Sequence, residues 1–257
     1  VSEEVSSVLD QLFARQDYPE SVGPKLLDIL RIEGQFYQIF EYIDGVNLRD
    51  LLYQGISIAV FNDLISHVLR ALGRLHDAGL FHGDLTPENI VVDDDGEVFL
   101  LDGAPDVRSL DIKAESFGNL FKGATSSYAS PQFKTDCLPT VESDRFSLGI
   151  LILEALTGDL PSSELSSDQR KGGGGFSRLP EQFKGYQGFL DTLFGVEGNA
   201  ESKDTSSLAS GLSALMMDTE PGEVRINTAP VSEEEIRLLG ASLFEMNNEV
   251  RTASPNK

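Results

Sequence analysis

Basic residues are scarce in this chain: Lys and Arg total 20 against 42 Asp and Glu in 257 residues, a formal net charge of −22. A chain this acidic has no global field with which to hold a nucleic-acid backbone or an anionic membrane surface. Long apolar runs are also missing, since none approaches the roughly 18–20 residues that a membrane span requires. Cysteine is reduced to Cys137, which excludes an intrachain disulfide and a cysteine-built zinc site. A reducing, intracellular (cytoplasmic) setting is the expectation from that single thiol. The first residue is Val1 rather than Met, and no charged-then-apolar leader follows it. The chain is therefore expected to be processed or to start inside a longer protein. Hydrophobic residues make up 40 %, enough for a packed core in one large domain or two small ones.

Periodicity supplies the first elements. Val5, Val8, Leu9, Leu12 and Phe13 fall at helical spacing and predict a helix over 1–16. Two runs rich in Ile, Phe and Tyr flank Glu33-Gly34-Gln35 and predict a β-hairpin. Asn47 is a suitable cap for a helix beginning NLRDLL. Leu64, Ile65, Val68, Leu69, Leu72 and Leu75 make one apolar stripe, so 60–79 reads as the clearest helix in the chain. Asp93-Asp94-Asp95-Gly96 separates two apolar runs and reads as a hairpin turn rather than a metal site. Residues 103–143 show no strong period and read as a long loop, whereas 147–156 is nearly all apolar and reads as a deeply buried helix. SSELSSDQRKGGGG is linker-like, and shorter apolar stretches at FLDTLF, LASGLSALMM and EEEIRLLGASLF each predict a short helix. No internal repeat is visible.

The stretch that carries chemistry is His82-Gly83-Asp84-Leu85-Thr86-Pro87-Glu88-Asn89, with Asp102 following 13 residues later in LLDGA. Two short strands joined by a tight turn bring the residue before the first and the residue after the second to one edge. Asn89 and Asp102 are thereby expected to face each other there, as two hard oxygen ligands suited to Mg²⁺. Asp84 lies five residues before Asn89 on the same loop, close enough to meet a substrate hydroxyl. A carboxylate for the nucleophile and an Asn/Asp pair for metal form a minimal kit for phosphoryl transfer.

These residues resemble the catalytic loop and metal motif of eukaryotic-type Ser/Thr protein kinases. The resemblance covers about residues 1–160. YPESVGPKLLDILRIEGQFYQIFEYIDGVNLRDLL is similar to the kinase stretch from the end of the αC helix through two strands to the hinge. Tyr128-Ala129-Ser130-Pro131-Gln132 resembles the motif closing the activation segment. Ser143-Asp144-Arg145-Phe146-Ser147-Leu148-Gly149 resembles the start of the central helix whose Asp anchors the catalytic loop. The resemblance implies an α+β, protein kinase-like fold. Its reduced N-lobe, a helix plus a small antiparallel sheet with the hinge, spans 1–46, and a mainly helical C-lobe spans 47–257, with 161–180 flexible. It implies Asp84 as catalytic base and Asn89 and Asp102 as metal ligands. Phe40 stands at the gatekeeper position, the backbone of Glu41, Tyr42 and Ile43 faces adenine, and Val91 lies under the purine. Mg²⁺ with ATP is the implied cofactor. The implied partner is a protein substrate or a protein partner with a basic surface.

Three of the departures concern cations. In the family a Gly-rich phosphate loop and a strand lysine precede the first helix, whereas this sequence is expected to start at or inside that helix. Gly83 stands where the family usually has arginine, and Thr86 where Ser/Thr kinases usually have lysine. Gly103-Ala104 follow Asp102 in place of Phe-Gly, and Gln132 replaces a glutamate. Phosphorylation of Thr125, Ser126 or Ser127 has no obvious cationic dock. A pseudokinase that serves as a protein-binding module, and a small-molecule kinase of the aminoglycoside or choline type, are the alternative readings. The first 100 residues carry six Lys/Arg and 18 Asp/Glu, so an acidic cleft is expected; the strands missing from the small sheet are expected to leave an exposed edge or apolar patch that a partner covers.

Overall fold

Leu64, Ile65, Val68, Leu69, Leu72 and Leu75 line the buried face of a helix that the computed structural model places at Ile58–Asp77. The structure describes residues 19, 22–32, 35–103, 127–136, 139–160, 179–195, 204–216 and 222–227. The helices expected at 1–16 and over EEEIRLLGASLF, and the linker-like stretch, lie outside these residues. In chain order, β1 is Leu26–Ile32, β2 Gln35–Phe40, β3 Gly45–Asn47, α1 Leu48–Gln54, β4 Ile56–Ser57 and α2 Ile58–Asp77. A 3₁₀ turn at Pro87–Asn89 leads into β5 (Ile90–Asp93) and β6 (Val98–Leu100). Then come α3 (Pro131–Asp136), α4 (Val141–Thr157), a second 3₁₀ turn at Glu181–Tyr186, α5 (Gln187–Leu193), α6 (Thr205–Met216) and β7 (Glu223–Val224).

Capping explains the helix boundaries. Asn47 accepts from the Asp50 backbone N–H and starts α1, as its sequence position predicts. Ser57 does the same for α2 by accepting from Val60 N. Arg74 sits in the last turn of α2, where it complements the negative end of its dipole. Thr140 and Ser143 form a reciprocal capping box at the head of α4, so this helix begins at 141 and not at 147. The loop reading of 103–143 is thus corrected at its end, where α3 and the first turn of α4 also lie. Gly158, at φ 83°, closes α4 in the left-handed region, and its N–H reaches Glu154 O.

Burial divides the two long helices. α2 turns one stripe inward and leaves Asp63, Arg70 and Arg74 exposed. α4 buries residues on every face, from Phe146 through Leu156, and so occupies the centre of the core. Phe194, just after α5, packs edge-on to Phe146 with ring centroids 5.2 Å apart. α6 packs along α2. Three small antiparallel sheets complete the described residues, ordered β1-β2, β3-β5-β6 and β4-β7. β1 and β2 pair on either side of 33–34, with a bulge between Leu26 and Asp28. Leu30 lies opposite Tyr37, and Leu27, Leu30, Tyr37 and Ile39 are all exposed. Exposed apolar side chains therefore stand on this hairpin, where the sequence reading expects an exposed edge or apolar patch.

Candidate active site

The loop after α2 is held by its backbone. Asp144, fully buried on α4, accepts from His82 N through Oδ2 and from Gly83 N through Oδ1, both at 2.8 Å. One carboxylate thus satisfies two consecutive peptide N–H groups that the loop has taken out of water. Gly83 has φ 75°, a left-handed conformation that would strain any other L-residue by about 1–2 kcal/mol. The glycine at a position where arginine was expected therefore suits the backbone found there. His82 is fully buried, as a packing residue would be, and its Nδ1 lies 3.3 Å from Asp84 N. Leu85, Thr86 and Pro87 are buried beneath the loop. Asp84 and Asn89 remain partly exposed, and Asn89 Nδ2 donates to the Asp84 carbonyl at 2.8 Å. That bond commits the amide nitrogen and leaves Oδ1 as the end able to meet a cation.

The hairpin geometry read from the sequence is present in the ladder. Ile90 pairs with Leu100, and one step further Leu101 N donates to Asn89 O at 2.8 Å. Asn89 and Asp102 therefore flank the same open end of β5-β6. Asp102 is exposed at φ 51°, a region in which Asp is better tolerated than most side chains. It lines a cavity of about 420 Å³ together with Phe40, Glu41, Tyr42, Ile43 and Val91. Pro24, Gly45, Asn47, Glu88, Leu100 and Leu101 complete the lining. Asp84 and Asn89 lie outside it. The cavity wall at Glu41 is fixed by reciprocal bonds, with Glu41 N donating to Lys25 O at 2.9 Å and Lys25 N donating to Glu41 Oε1 at 2.8 Å. Three carboxylates and no Lys or Arg appear among the described residues that line the cavity. No three His, Cys, Asp or Glu side chains among the described residues are gathered so as to hold a metal by themselves.

Beneath the cavity lies a network that sequence reading missed. Arg49 on α1 donates through Nη1 to Glu154 Oε1 at 2.8 Å, through Nε to Glu88 Oε1 at 2.8 Å, and through Nη2 to Tyr128 Oη at 2.6 Å. Tyr128 in turn donates to Glu154 Oε2 at 2.5 Å. Burial disfavours the Arg49 charge, but Tyr128, Glu154 and Glu88 outweigh it and raise the guanidinium above its ordinary pKa. Burial and the adjacent Glu154 carboxylate push the Tyr128 hydroxyl up as well. The network joins α1, the 3₁₀ turn at Pro87–Asn89, the Tyr128 segment and α4. Its one visible signal in the sequence is Glu154, a lone carboxylate within an apolar helical run, which must find a partner to be buried.

A loop clasped from below by a helix aspartate, beside a cleft walled by Asp102 with Asn89 across the hairpin end, is the arrangement of the protein-kinase-like class. The chain belongs to the protein kinase family: the family model described as "Protein kinase domain" matches residues 24–248. Its relatives include the "Probable serine/threonine-protein kinase PknB" of Lactococcus lactis, 31 % identical over 152 residues, which are 58 % of this chain and 23 % of that protein. The "Serine/threonine-protein kinase PknL" of Mycobacterium tuberculosis is 35 % identical over 127 residues, 49 % of this chain and 31 % of that one. The "Serine/threonine-protein kinase D" of Synechocystis is 30 % identical over 179 residues, 66 % of this chain and 33 % of that one. The matched stretches thus span a third or less of these relatives' own lengths. No helix among the described residues is long and apolar enough to cross a membrane.

Proposed function

We propose that this chain is the catalytic region of a Ser/Thr protein kinase that uses Mg-ATP, with residues up to 46 as small lobe and hinge and 47–257 as helical lobe. The observation that carries the reading is the placement of Asp102 on the cavity wall, across the hairpin end from Asn89, with Asp84 on the same clasped loop. Glu41–Ile43 and Val91 form the adenine side of the cavity, and Phe40 lies at its back. Asp84 would accept the proton of the substrate hydroxyl as that oxygen attacks the terminal phosphorus of ATP, the bond from that phosphorus to the β-phosphate oxygen breaking and ADP leaving. Asn89 Oδ1 and the Asp102 carboxylate fit Mg²⁺ by their chemistry, being two hard oxygens, and Mg²⁺ commonly takes one or two protein ligands with the rest from phosphate and water. Bound there, the ion would neutralise phosphate charge in a cleft whose described lining offers no Lys or Arg. The acidic surface favours a protein substrate or partner with a basic face.

A second reading, a pseudokinase that binds a protein partner, is favoured by one set of observations. Thr86 is buried where a phosphate-contacting lysine was expected, and Leu30, Tyr37 and Ile39 expose an apolar face on the hairpin. Thermal unfolding with and without Mg-ATP separates the two. At about 100 times Kd a nucleotide site adds about 2.7 kcal/mol of stability, so a clear rise in Tm is expected. Asp84→Asn is expected to abolish phosphate transfer while keeping that rise. No rise at millimolar nucleotide would leave the partner-binding reading in place of the catalytic one.

A further inference from the structure

His76 links the Asp144 clasp to a helix far along the chain. Its Nε2 lies 2.9 Å from Asp144 Oδ2, the oxygen that also accepts from His82 N. Its Nδ1 lies 2.8 Å from Thr205 Oγ1. Thr205 opens α6, is buried, and its hydroxyl oxygen also accepts from Arg145 Nε at 3.2 Å. A carboxylate already accepting two peptide N–H bonds requires a donor from His76, so the proton sits on Nε2. With Arg145 donating to the hydroxyl oxygen, the Thr205 proton is directed at Nδ1. The result is one polarised chain: Arg145 to Thr205, Thr205 to His76, His76 to Asp144, and Asp144 to the peptides of residues 82 and 83. Asp204 caps α6 by accepting from Ser207 N at 2.7 Å and also acts electrostatically on Arg145, so the head of this helix is fixed where the chain needs it.

We propose that Thr205 is a positioning residue for the loop that carries Asp84, acting through His76 and Asp144, so that α6 controls the set of the catalytic loop. Its activity arm rests on the kinase reading; its structural arm does not. Thr205→Val keeps the shape of the side chain and removes only the hydroxyl. The buried imidazole then lacks a donor at Nδ1, and its hold on Asp144 loosens.

The experiment is amide hydrogen exchange on the whole 257-residue chain, comparing His82 and Gly83 with Val68 and Leu69 in the middle of α2. In Thr205→Val the first pair is expected to exchange about tenfold faster relative to the second, the size set by one buried polar group left unsatisfied. Thr205→Ser is expected to restore protection. In a His76→Phe background, Thr205→Val is expected to add nothing, because its route to the loop is already cut. Phosphate transfer should follow the same order, with kcat reduced about tenfold and KM for ATP unchanged, since none of these residues lines the cavity. Unchanged relative protection in Thr205→Val, or additive effects in the double variant, would overturn the proposal. If the valine variant does not fold, the ring nitrogens of His76 in the unsubstituted chain decide by their nitrogen-15 shifts. A proton on Nε2 supports the relay, and a proton on Nδ1 alone overturns it. Absence of phosphate transfer in the unsubstituted chain would count against the kinase reading only, because the exchange result stands without it.

Discussion

Glu154 has both carboxylate oxygens engaged, one by Arg49 and one by Tyr128, at a position without solvent access. Taking one partner away leaves the other as an uncompensated buried charge, which costs more than the pair contributes. Glu154→Ala is expected to lower unfolding stability by about 3–5 kcal/mol in urea titration. Arg49→Met combined with Glu154→Leu should cost clearly less than the two single losses summed, because neither charge is then stranded. A strictly additive pair would show that the network holds little coupling. The Glu88 arm should matter less, since that side chain is 48 % exposed and screened by water. None of this pairing was legible in the sequence. Glu154 stands as a lone carboxylate in an apolar run, but its partner lies 105 residues away, and no local spacing can name a partner at that distance.

The two long helices differ in how much of their circumference the core takes. α4 is buried on all sides, so a polar substitution on any face of it should fail. Leu151→Ala is expected to cost about 2–5 kcal/mol, as for a fully enclosed side chain whose removal leaves a cavity. On α2 the same length of helix has an outer face, and Arg70→Ala should change stability by no more than about 0.5 kcal/mol. Equal losses at the two positions, measured by urea unfolding, would contradict the assignment of α4 as the centre of the core. The legibility of the elements follows the same physics. A stripe at helical spacing predicted α2 to within two residues at each end, and Asn47 and the Asp93–Gly96 turn were readable from their capping and turn chemistry. The candidate site was readable because Asp84, Asn89 and Asp102 lie on one contiguous loop and hairpin. β3, β4 and β7 have two or three residues each; that is too short for any period, and their pairing is decided by where α1 and α2 place them.

Over the whole molecule the acidic excess is a standing repulsion. With a formal charge of −22, folding brings like charges together that the open chain keeps apart. Raising ionic strength from about 0.01 M to about 0.15 M shortens the screening length from about 30 Å to about 8 Å. Tm is therefore expected to rise with sodium chloride across that range. A fall would mean that attractive pairs such as Arg225–Glu223 outweigh the net charge. The same excess surrounds a cavity whose described lining holds Glu41, Glu88 and Asp102, so divalent cations should raise Tm further than sodium does at equal ionic strength.

The short pairing of β7 with β4 has a consequence for the order in which the molecule can be completed. Ile226 N bonds to Leu52 O and Ile58 N to Gly222 O, and Arg225 Nη2 bonds to Gln54 O, 171 residues away. A polypeptide emerging from the ribosome has α1 and the start of α2 in hand long before residues 222–226 exist. The junction between those helices must wait, with the Ile58 N–H and the Gln54 carbonyl facing water, until residues 222–226 have been made. Synthesis halted shortly before residue 222 would thus yield a chain that holds Asp84, Asn89 and Asp102 yet leaves that seam open.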